Sequence, residues 1–487
     1  MKKIATHIWN WIDDRTGISE TILPLLKHPV PPRSLWSYVF GSATLFCFVL
    51  QVVTGVALSL LYQPSSDSAY QSLEFITHQA RFGNILRGIH YYGASAMIIL
   101  VGLHMMRTYI TASYKFPREM NWISGVFLLL FTIFMGFTGQ LLRWDSNGVW
   151  SSVVAAQQLG RIPLLGKYLA RLLLGGDTIG GQSLSRFYSY HVFIIPALIF
   201  LFIGLHVYLV FRNGISEPPK AGRPVDPKTY RAWYKQYLVD KSVPFWPNAA
   251  WRDVLFSSLI VILIILLAMF FGAPALTSPP DPSMVHTSPN PDWYMVPFFA
   301  LFALMPHKIE SIAMMAGPVL TVIILLSIPF LSNKGERSPL KRPWAMFGVL
   351  CVFVFVISLL VIGLQAPWSP DFKAEPLPLS AIRRPSIPAT ALPATPGSSP
   401  ATTGNRSSDS SMIRGVRLFY TKGCEYCHRV DGYGGRAGPE LSLIGNRLSP
   451  QQLTLRIVNG GNNMPAYGGT LSKNELSDLV GFLSSQK

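Results

Sequence analysis

Four histidines lie inside apolar stretches long enough to cross a bilayer: His90 and His104 in one, His191 and His206 in another. An ionisable side chain at membrane depth is costly and usually has a function there. His90 and His104 stand fourteen positions apart, and His191 and His206 fifteen. At about 100° per residue, both steps return to within roughly 40–60° of the same helix face, and the two side chains stand about 21–22 Å apart along the axis. One crossing separates the two stretches, so they run in the same direction, with His90 level with His191 and His104 level with His206. Each pair can supply two axial ligands to a haem iron held between helices. A hydrogen bond to a neighbouring helix would explain one such histidine, but not four in matched pairs.

Glycines repeat with the same period. Gly41 and Gly55 share the fourteen-position step, as do Gly125 and Gly139. Glycine lets a flat macrocycle approach a helix backbone, although glycines are also common where membrane helices touch. Arg87 and Arg107 each sit three positions from a histidine and could pair with haem propionates, unless Arg107 is only a positive-inside anchor. A second chemistry lies near the C-terminus. Cys424-Glu-Tyr-Cys427-His428 offers two thiols for the vinyl groups of a covalently attached haem, followed by an adjacent proximal ligand. His428 is the only histidine after residue 307, so a sixth ligand must be another group; Met464, in Asn463-Met-Pro-Ala-Tyr467, is the candidate. Methionine with histidine favours a high reduction potential. No second Cys pair supports a zinc site.

The surrounding elements must position these groups in a membrane. The chain has 487 residues, 49% hydrophobic and only 13% charged, which excludes a purely soluble enzyme. The net charge of +17 does not indicate a nucleic-acid partner, because the basic residues fall between apolar stretches, where membrane topology places them. Seven spans, A to G, are predicted at about 36–62, 88–110, 122–142, 190–211, 253–273, 312–331 and 344–364. Residues 1–35 form an N-terminal arm that reads as an amphipathic helix on the membrane surface, with no cleavable signal. Lys and Arg concentrate in this arm and in the B–C, D–E and F–G connections, which places the N-terminus in the cytoplasm. Seven crossings then put everything after span G on the outer side. Residues 366–411 are rich in Pro, Ser, Thr and Ala and read as a tether, while 412–487 return to globular composition. Haem attachment through thiols generally occurs outside the cytoplasm, in agreement with this parity. Cys47 and Cys351 read as packing residues.

The segments Arg87-Gly-Ile-His-Tyr-Tyr-Gly-Ala-Ser-Ala, Leu103-His-Met-Met-Arg107, Gly180-Gly-Gln-Ser-Leu-Ser-Arg-Phe-Tyr-Ser-Tyr-His191 and Pro291-Asp-Trp-Tyr294 closely resemble cytochrome b of the cytochrome bc complexes. The likeness covers about residues 30–365, and its longer histidine step in span D and lack of an eighth span look like the chloroplast-type branch, with the four-helix and three-helix parts joined. The C-terminal unit looks like a small class I cytochrome c. The fold expected is all-α: a seven-helix transmembrane bundle holding two b haems, a Pro/Ser-rich linker and a small helical cytochrome c domain. The corresponding divisions are a four-helix dihaem core at 36–252 and a three-helix part at 253–365.

The resemblance implies a quinol-oxidising site on the outer side, in the proline-stiffened loop around Pro291 and Pro297. A carboxylate with a raised pKa in an apolar pocket suits the task of accepting a quinol proton. Asp292 is the candidate, where relatives usually carry Glu, with Tyr294 in hydrogen-bonding range; alternatively, Asp292 is a turn former before two buried aromatics. Trp144, Asp145 and Trp150 match the family's facing wall of the same pocket, unless they belong only to an interfacial aromatic belt. Arg212, Arg252 and Asp253 are candidates for an inner quinone site, unless they only anchor the membrane surface. Chloroplast-type relatives hold an extra haem through a cysteine early in span A; Val39 stands there, so no such haem is expected.

The function implied is a cytochrome b/c fusion subunit of a quinol:cytochrome c oxidoreductase in a bacterial inner membrane. It would carry two non-covalent b haems and one covalent c haem, with electron transfer coupled to proton translocation. Too few Cys and His remain for a Rieske ligand set, so that iron–sulfur protein must be a separate partner. A cytochrome c or terminal oxidase would be the acceptor, and relatives form homodimers. The alternative is a dihaem anchor and electron wire for another dehydrogenase or reductase, which would not need the Pro-Asp-Trp-Tyr loop.

Overall fold

The computed structural model describes residues 2–32, 36–160, 162–176, 179–281, 291–365, 406–434, 438–460 and 464–487. Most of the stretch read as a tether, from 366 to 405, lies outside them.

The protein is all-α apart from two-residue strands. Among the described residues, seven helices are long and apolar enough to cross a membrane: Trp36–Ser59, Gly83–Ile110, Glu119–Leu141, Gly181–Asn213, Ala250–Phe271, Ile312–Leu331 and Pro343–Leu364. These are spans A to G, with B and D each beginning earlier than the apolar pattern suggests. Their polar N-terminal turns are helical because tertiary packing, not apolarity, holds them. Side chains such as Phe270, Leu331 and Phe347 are largely exposed, as lipid-facing residues must be when no membrane is present. The chain is an integral membrane protein.

Small residues set the closest approaches between spans. A Cβ built on Gly88 of span B would lie 3.0 Å from the Ala268 Cβ of span E, so these backbones nearly touch. The inner core of the four-helix frame gathers Ala43, Phe48, Met97, Leu100, Ile195 and Ile199. The arm is two helices, Lys2–Thr16 and Ile18–Leu26, broken at Gly17, whose φ of 61° is left-handed. Ile4, Ile8 and Trp11 are exposed along one stripe of the first helix, consistent with a surface-lying amphipath. After the arm, Pro29–Val30 (β1) pairs antiparallel with Val243–Pro244 (β2) and fastens it beneath the bundle.

The C-terminal unit has its own core. Helices Arg406–Thr421 and Lys473–Ser485 cross at Gly415, where an added Cβ would lie 2.6 Å from the Phe482 Cβ. The first helix begins inside the segment read as tether. Phe419, Leu453, Ile457, Leu479 and Phe482 fill the interior.

Candidate functional site

The paired histidines meet as the spacing requires. The ring centroids of His90 and His191 are 6.3 Å apart, and those of His104 and His206 are 6.4 Å apart; both pairs make an interplanar angle of 73°. Two metal–nitrogen bonds of about 2 Å each, plus the two half-rings, account for a centroid separation of about 6 Å. Each gap therefore fits one iron.

The unequal histidine steps of spans B and D are reconciled by a π-helical turn at Tyr190–Ile194, immediately at His191. Such a turn inserts one extra residue into a helix. Span D thus spends one more residue than span B to reach the same register, which is why the two pairs have the same geometry.

Hydroxyl groups fix three of the four rings. Thr54 Oγ1 lies 2.9 Å from His90 Nδ1, Ser124 Oγ 2.9 Å from His206 Nδ1, and Thr138 Oγ1 3.1 Å from His191 Nδ1. Each hydroxyl donates its only proton to a carbonyl of its own helix: Leu50, Asn121 and Met135 respectively. Its lone pair then accepts the proton on Nδ1, which leaves Nε2 unprotonated and free to bind a metal. His104 Nδ1 is buried without a partner. These hydroxyls were not among the residues singled out from sequence. The signal was available, because Thr54-Gly55, Ser124-Gly125 and Thr138-Gly139 repeat one dipeptide, and Phe40-Gly41 is the exception beside His104.

The glycines face the imidazoles directly. A Cβ on Gly139 would lie 2.7 Å from His191 Cε1, one on Gly41 2.9 Å from His104 Cε1, one on Gly55 3.3 Å from His90 Cε1 and one on Gly125 3.5 Å from His206 Cε1. The nearest neighbour at each of the four glycines is thus the imidazole of one paired histidine, in the same space that the sequence assigns to a macrocycle. Gly139→Val is expected to displace His191 and lose the outer b-type signal, measured as the reduced-minus-oxidised difference spectrum; an unchanged spectrum would refute the assignment.

The two arginines differ. Arg107 lies over the Tyr38 ring at 3.4 Å, with Nε and Nη2 buried and unpartnered, as expected of a group awaiting a carboxylate such as a propionate. Arg87 is buried and donates to Thr77 Oγ1 at 3.0 Å.

At the end of the bundle that carries the His90–His191 pair, Asp292 does not stand in the purely apolar pocket expected. Arg143 Nη1 approaches its Oδ1 at 3.2 Å, and the Tyr294 hydroxyl lies 3.1 Å from its Oδ2. Tyr294 packs on Gly136, and burial followed by the neighbouring Asp292 charge holds its phenol well above the usual value, so it remains a donor across physiological pH. Arg143, remote from Asp292 in the chain, was not singled out for this site. Asp145 serves a structural purpose: its oxygens accept from Gly148 N at 2.8 Å and Thr277 N at 3.1 Å, capping the helix Ser146–Gly160. Trp144 donates to Ser66 O at 3.1 Å, and Trp150 Nε1 is buried without a partner beside an outer cleft.

At the opposite end of the bundle a cavity of about 430 Å³ joins His104 and His206 to Arg107, Arg252 and Asp253. Ser42 donates to Asp253 Oδ1 at 2.7 Å. His28, from the arm, also lines the cavity, with a buried and unpartnered Nε2; nothing in its local sequence pointed to this. Arg212 bonds the Tyr208 hydroxyl at 3.2 Å on an exposed face and does not line the cavity. Val39 lies in the cavity wall beside Tyr38.

In the C-terminal unit, Cys424 and Cys427 are unbridged. His428 Nδ1 donates to Pro439 O at 2.9 Å, which again frees Nε2 for a metal. Gly438 leaves room for the ring, since a Cβ there would lie 2.6 Å from His428 Cε1. Met464 packs against the domain core, while Asn463 is outside the described residues.

A four-helix frame that presents facing imidazole pairs, one above the other across a membrane, defines a haem-binding membrane electron-transfer protein. Residues 25–214 match the family described as Cytochrome b/b6/petB, and residues 279–375 match Cytochrome b(C-terminal)/b6/petD. Residues 412–483 match Cytochrome C oxidase, cbb3-type, subunit III. Cytochrome b6 of Heliobacterium modesticaldum is 39% identical over 211 residues, covering 43% of this chain and 99% of the relative. Cytochrome b6 of Synechococcus elongatus is 37% identical over 213 residues, covering 44% and 99%. A solved structure titled "Hyperthermophilic respiratory Complex III" matches with a TM-score of 0.63 at 26% identity, over 74% of this chain and 91% of that one. The chain belongs to the cytochrome b family.

Proposed function

We propose that this chain is the fused cytochrome b–cytochrome c subunit of a quinol:cytochrome c oxidoreductase. The observation that carries the reading is the alignment of two equivalent histidine pairs across the membrane with a carboxylate–phenol site at the outer end. His90 with His191 and His104 with His206 would hold two b haems, and Cys424, Cys427, His428 and Met464 would hold a covalent c haem. When bound, these groups supply reversible one-electron storage at iron.

The protein's own residues handle the quinol and its protons. Arg143 keeps the Asp292 carboxylate in place, and each carboxylate oxygen retains a lone pair for the quinol hydroxyl. Asp292 then accepts the proton, while the Tyr294 phenol donates to the same carboxylate and orients it. At the inner end Asp253, held by Ser42, and Arg252 line the cavity in which a quinone would take up protons, with His28 facing the same space. The N-terminus is cytoplasmic and residues 412–487 lie on the outer side. The divisions are those set out from the sequence, and the partner that receives the first electron is a separate Rieske iron–sulfur protein. The assembly is a homodimer.

The test is quinol oxidation by the purified protein with and without added iron–sulfur protein. Activity that depends on the addition is expected; an equal rate without it would favour the electron-wire alternative. Asp292→Asn is expected to lower the iron–sulfur-dependent rate by about a hundredfold, the scale of positioned general base catalysis, with both b-type spectra intact. A rate within twofold of the parent would remove Asp292 from this role.

A further inference from the structure

The C-terminal domain sits on the outer rim of the membrane part, beside the quinol pocket. Ser66, in the A–B connection, donates to Val458 O at 2.9 Å and contacts Asn459 Oδ1 at 3.0 Å. Ser66 is only 1% exposed, and its carbonyl is the acceptor for Trp144 Nε1. Glycines on both sides let the backbones approach. A Cβ on Gly180 would lie 2.8 Å from Asn459 O, and one on Gly181 3.0 Å from Asn459 Oδ1. From the other side, a Cβ on Gly468 would lie 3.0 Å from the Asp67 backbone. Ala466, two positions after the candidate haem ligand Met464, is buried among Trp144, Leu174 and Phe187. Pro465 and Ala466 also close one side of the outer cleft of about 610 Å³, whose other walls include Trp144, Trp150 and Pro280. The rim and the domain thus match in shape, with close backbone approaches at Gly180, Gly181 and Gly468 that leave no room for a side chain at those positions.

We propose that the rim formed by Ser66, Gly180, Gly181 and Pro280 is a docking seat for the chain's own C-terminal domain, and that a separate electron-accepting protein reaches the quinol pocket only when the domain has left it. The seat covers the wall that carries Trp144, next to Arg143 and Asp292, so a protein approaching Asp292 from outside meets the docked domain first. The contact is polar at Ser66 and Asn459 and apolar at Ala466, whereas the domain has a core of its own, which suits release without unfolding. This proposal rests on the reading that a separate iron–sulfur protein takes the first electron.

The experiment uses the full chain with haem incorporated, carrying Ser66→Cys and Asn459→Cys and a protease site inserted between residues 366 and 405. The native Cys47 and Cys351 lie within spans, and Cys424 and Cys427 are taken up by haem, so the new pair provides the reactive outer thiols. After oxidation, or treatment with a short bis-maleimide, and then proteolysis, the C-terminal fragment is expected to stay attached in a denaturing gel. A control pair, Ser66→Cys with Lys473→Cys, is expected to separate. Adding Gly180→Val to the first pair is expected to cut the linked fraction at least fivefold. The linked protein is expected to oxidise quinol at no more than a tenth of its unlinked rate and to recover when the disulfide is reduced. Absence of linkage with both reagents overturns the seat, and full linkage with an unchanged rate overturns the exclusion. If the unlinked protein shows no iron–sulfur-dependent quinol oxidation, the functional reading fails instead, and the linkage result still decides the seat.

Discussion

Replacing His206 by leucine is expected to halve the content of extractable b-type haem and to remove one of two low-spin signals. Leucine nearly fills the space and keeps the span apolar, so the helix should still insert. What is lost is one of two metal bonds, and its partner His104 has no hydrogen bond on Nδ1 to hold it in place. The pair at His90 and His191 is about 21 Å away along the helix axis, and each of its rings is oriented by its own hydroxyl. The remaining signal should therefore keep its position and amplitude. Leucine at His90 should give the reciprocal result. Loss of both signals from a single replacement would mean that the pairs are not independent, and loss of neither would mean that these histidines are not ligands. Spectra recorded on protein of verified membrane insertion separate either outcome from misfolding.

A second large effect is expected at the C-terminal domain. Changing Cys424 and Cys427 together to alanine should abolish haem staining of the polypeptide in denaturing gels, while both b-type signals persist. The parent chain should keep one haem through denaturation, because thioether bonds survive conditions that release a ligand-bound group. The two cysteines are unbridged, and His428 beside them has its Nδ1 committed to Pro439 O at 2.9 Å. Electron delivery to an added cytochrome c should fall to below about a hundredth. Reduction of the b-type signals by quinol in the presence of the iron–sulfur protein should remain, since that branch does not use residues 412–487. A parent chain whose haem is wholly extractable by acid acetone would exclude covalent attachment.

Much of this was legible in the sequence because helices convert spacing into geometry. The shared period placed His90 and His104 near one helix face and gave the glycines of the flanking spans the same step without any knowledge of packing; that Gly41 faces His104 came from the structure. The attachment motif is local in the same sense, as its chemistry is carried by consecutive residues from Cys424 to His428. The seven crossings followed from hydropathy alone. What the sequence did not reveal were contacts that no periodicity encodes. Arg143 reaches Asp292 from the end of span C, so the expected apolar pocket is in fact an ion pair. Asp145, matched to a quinol wall by likeness, is occupied as a helix cap. Arg212 bonds Tyr208 and does not line the cavity at His104 and His206, whereas His28 enters it from an arm that carried no signal.

The sequence by itself determined the candidate ligand types, their spacing along each helix and the order of the apolar spans. Only the tertiary structure decided the azimuth of those helices and the company each polar group keeps. The π-helical turn at Tyr190–Ile194 shows why. In an ideal helix, steps that differ by one residue point in directions about 100° apart, and the difference disappears only because span D packs with one residue bulged out. That choice is made by the neighbouring helices, where Gly139 leaves space for His191 and Thr138 receives its proton. It depends on side chains remote in the sequence, and therefore on the fold.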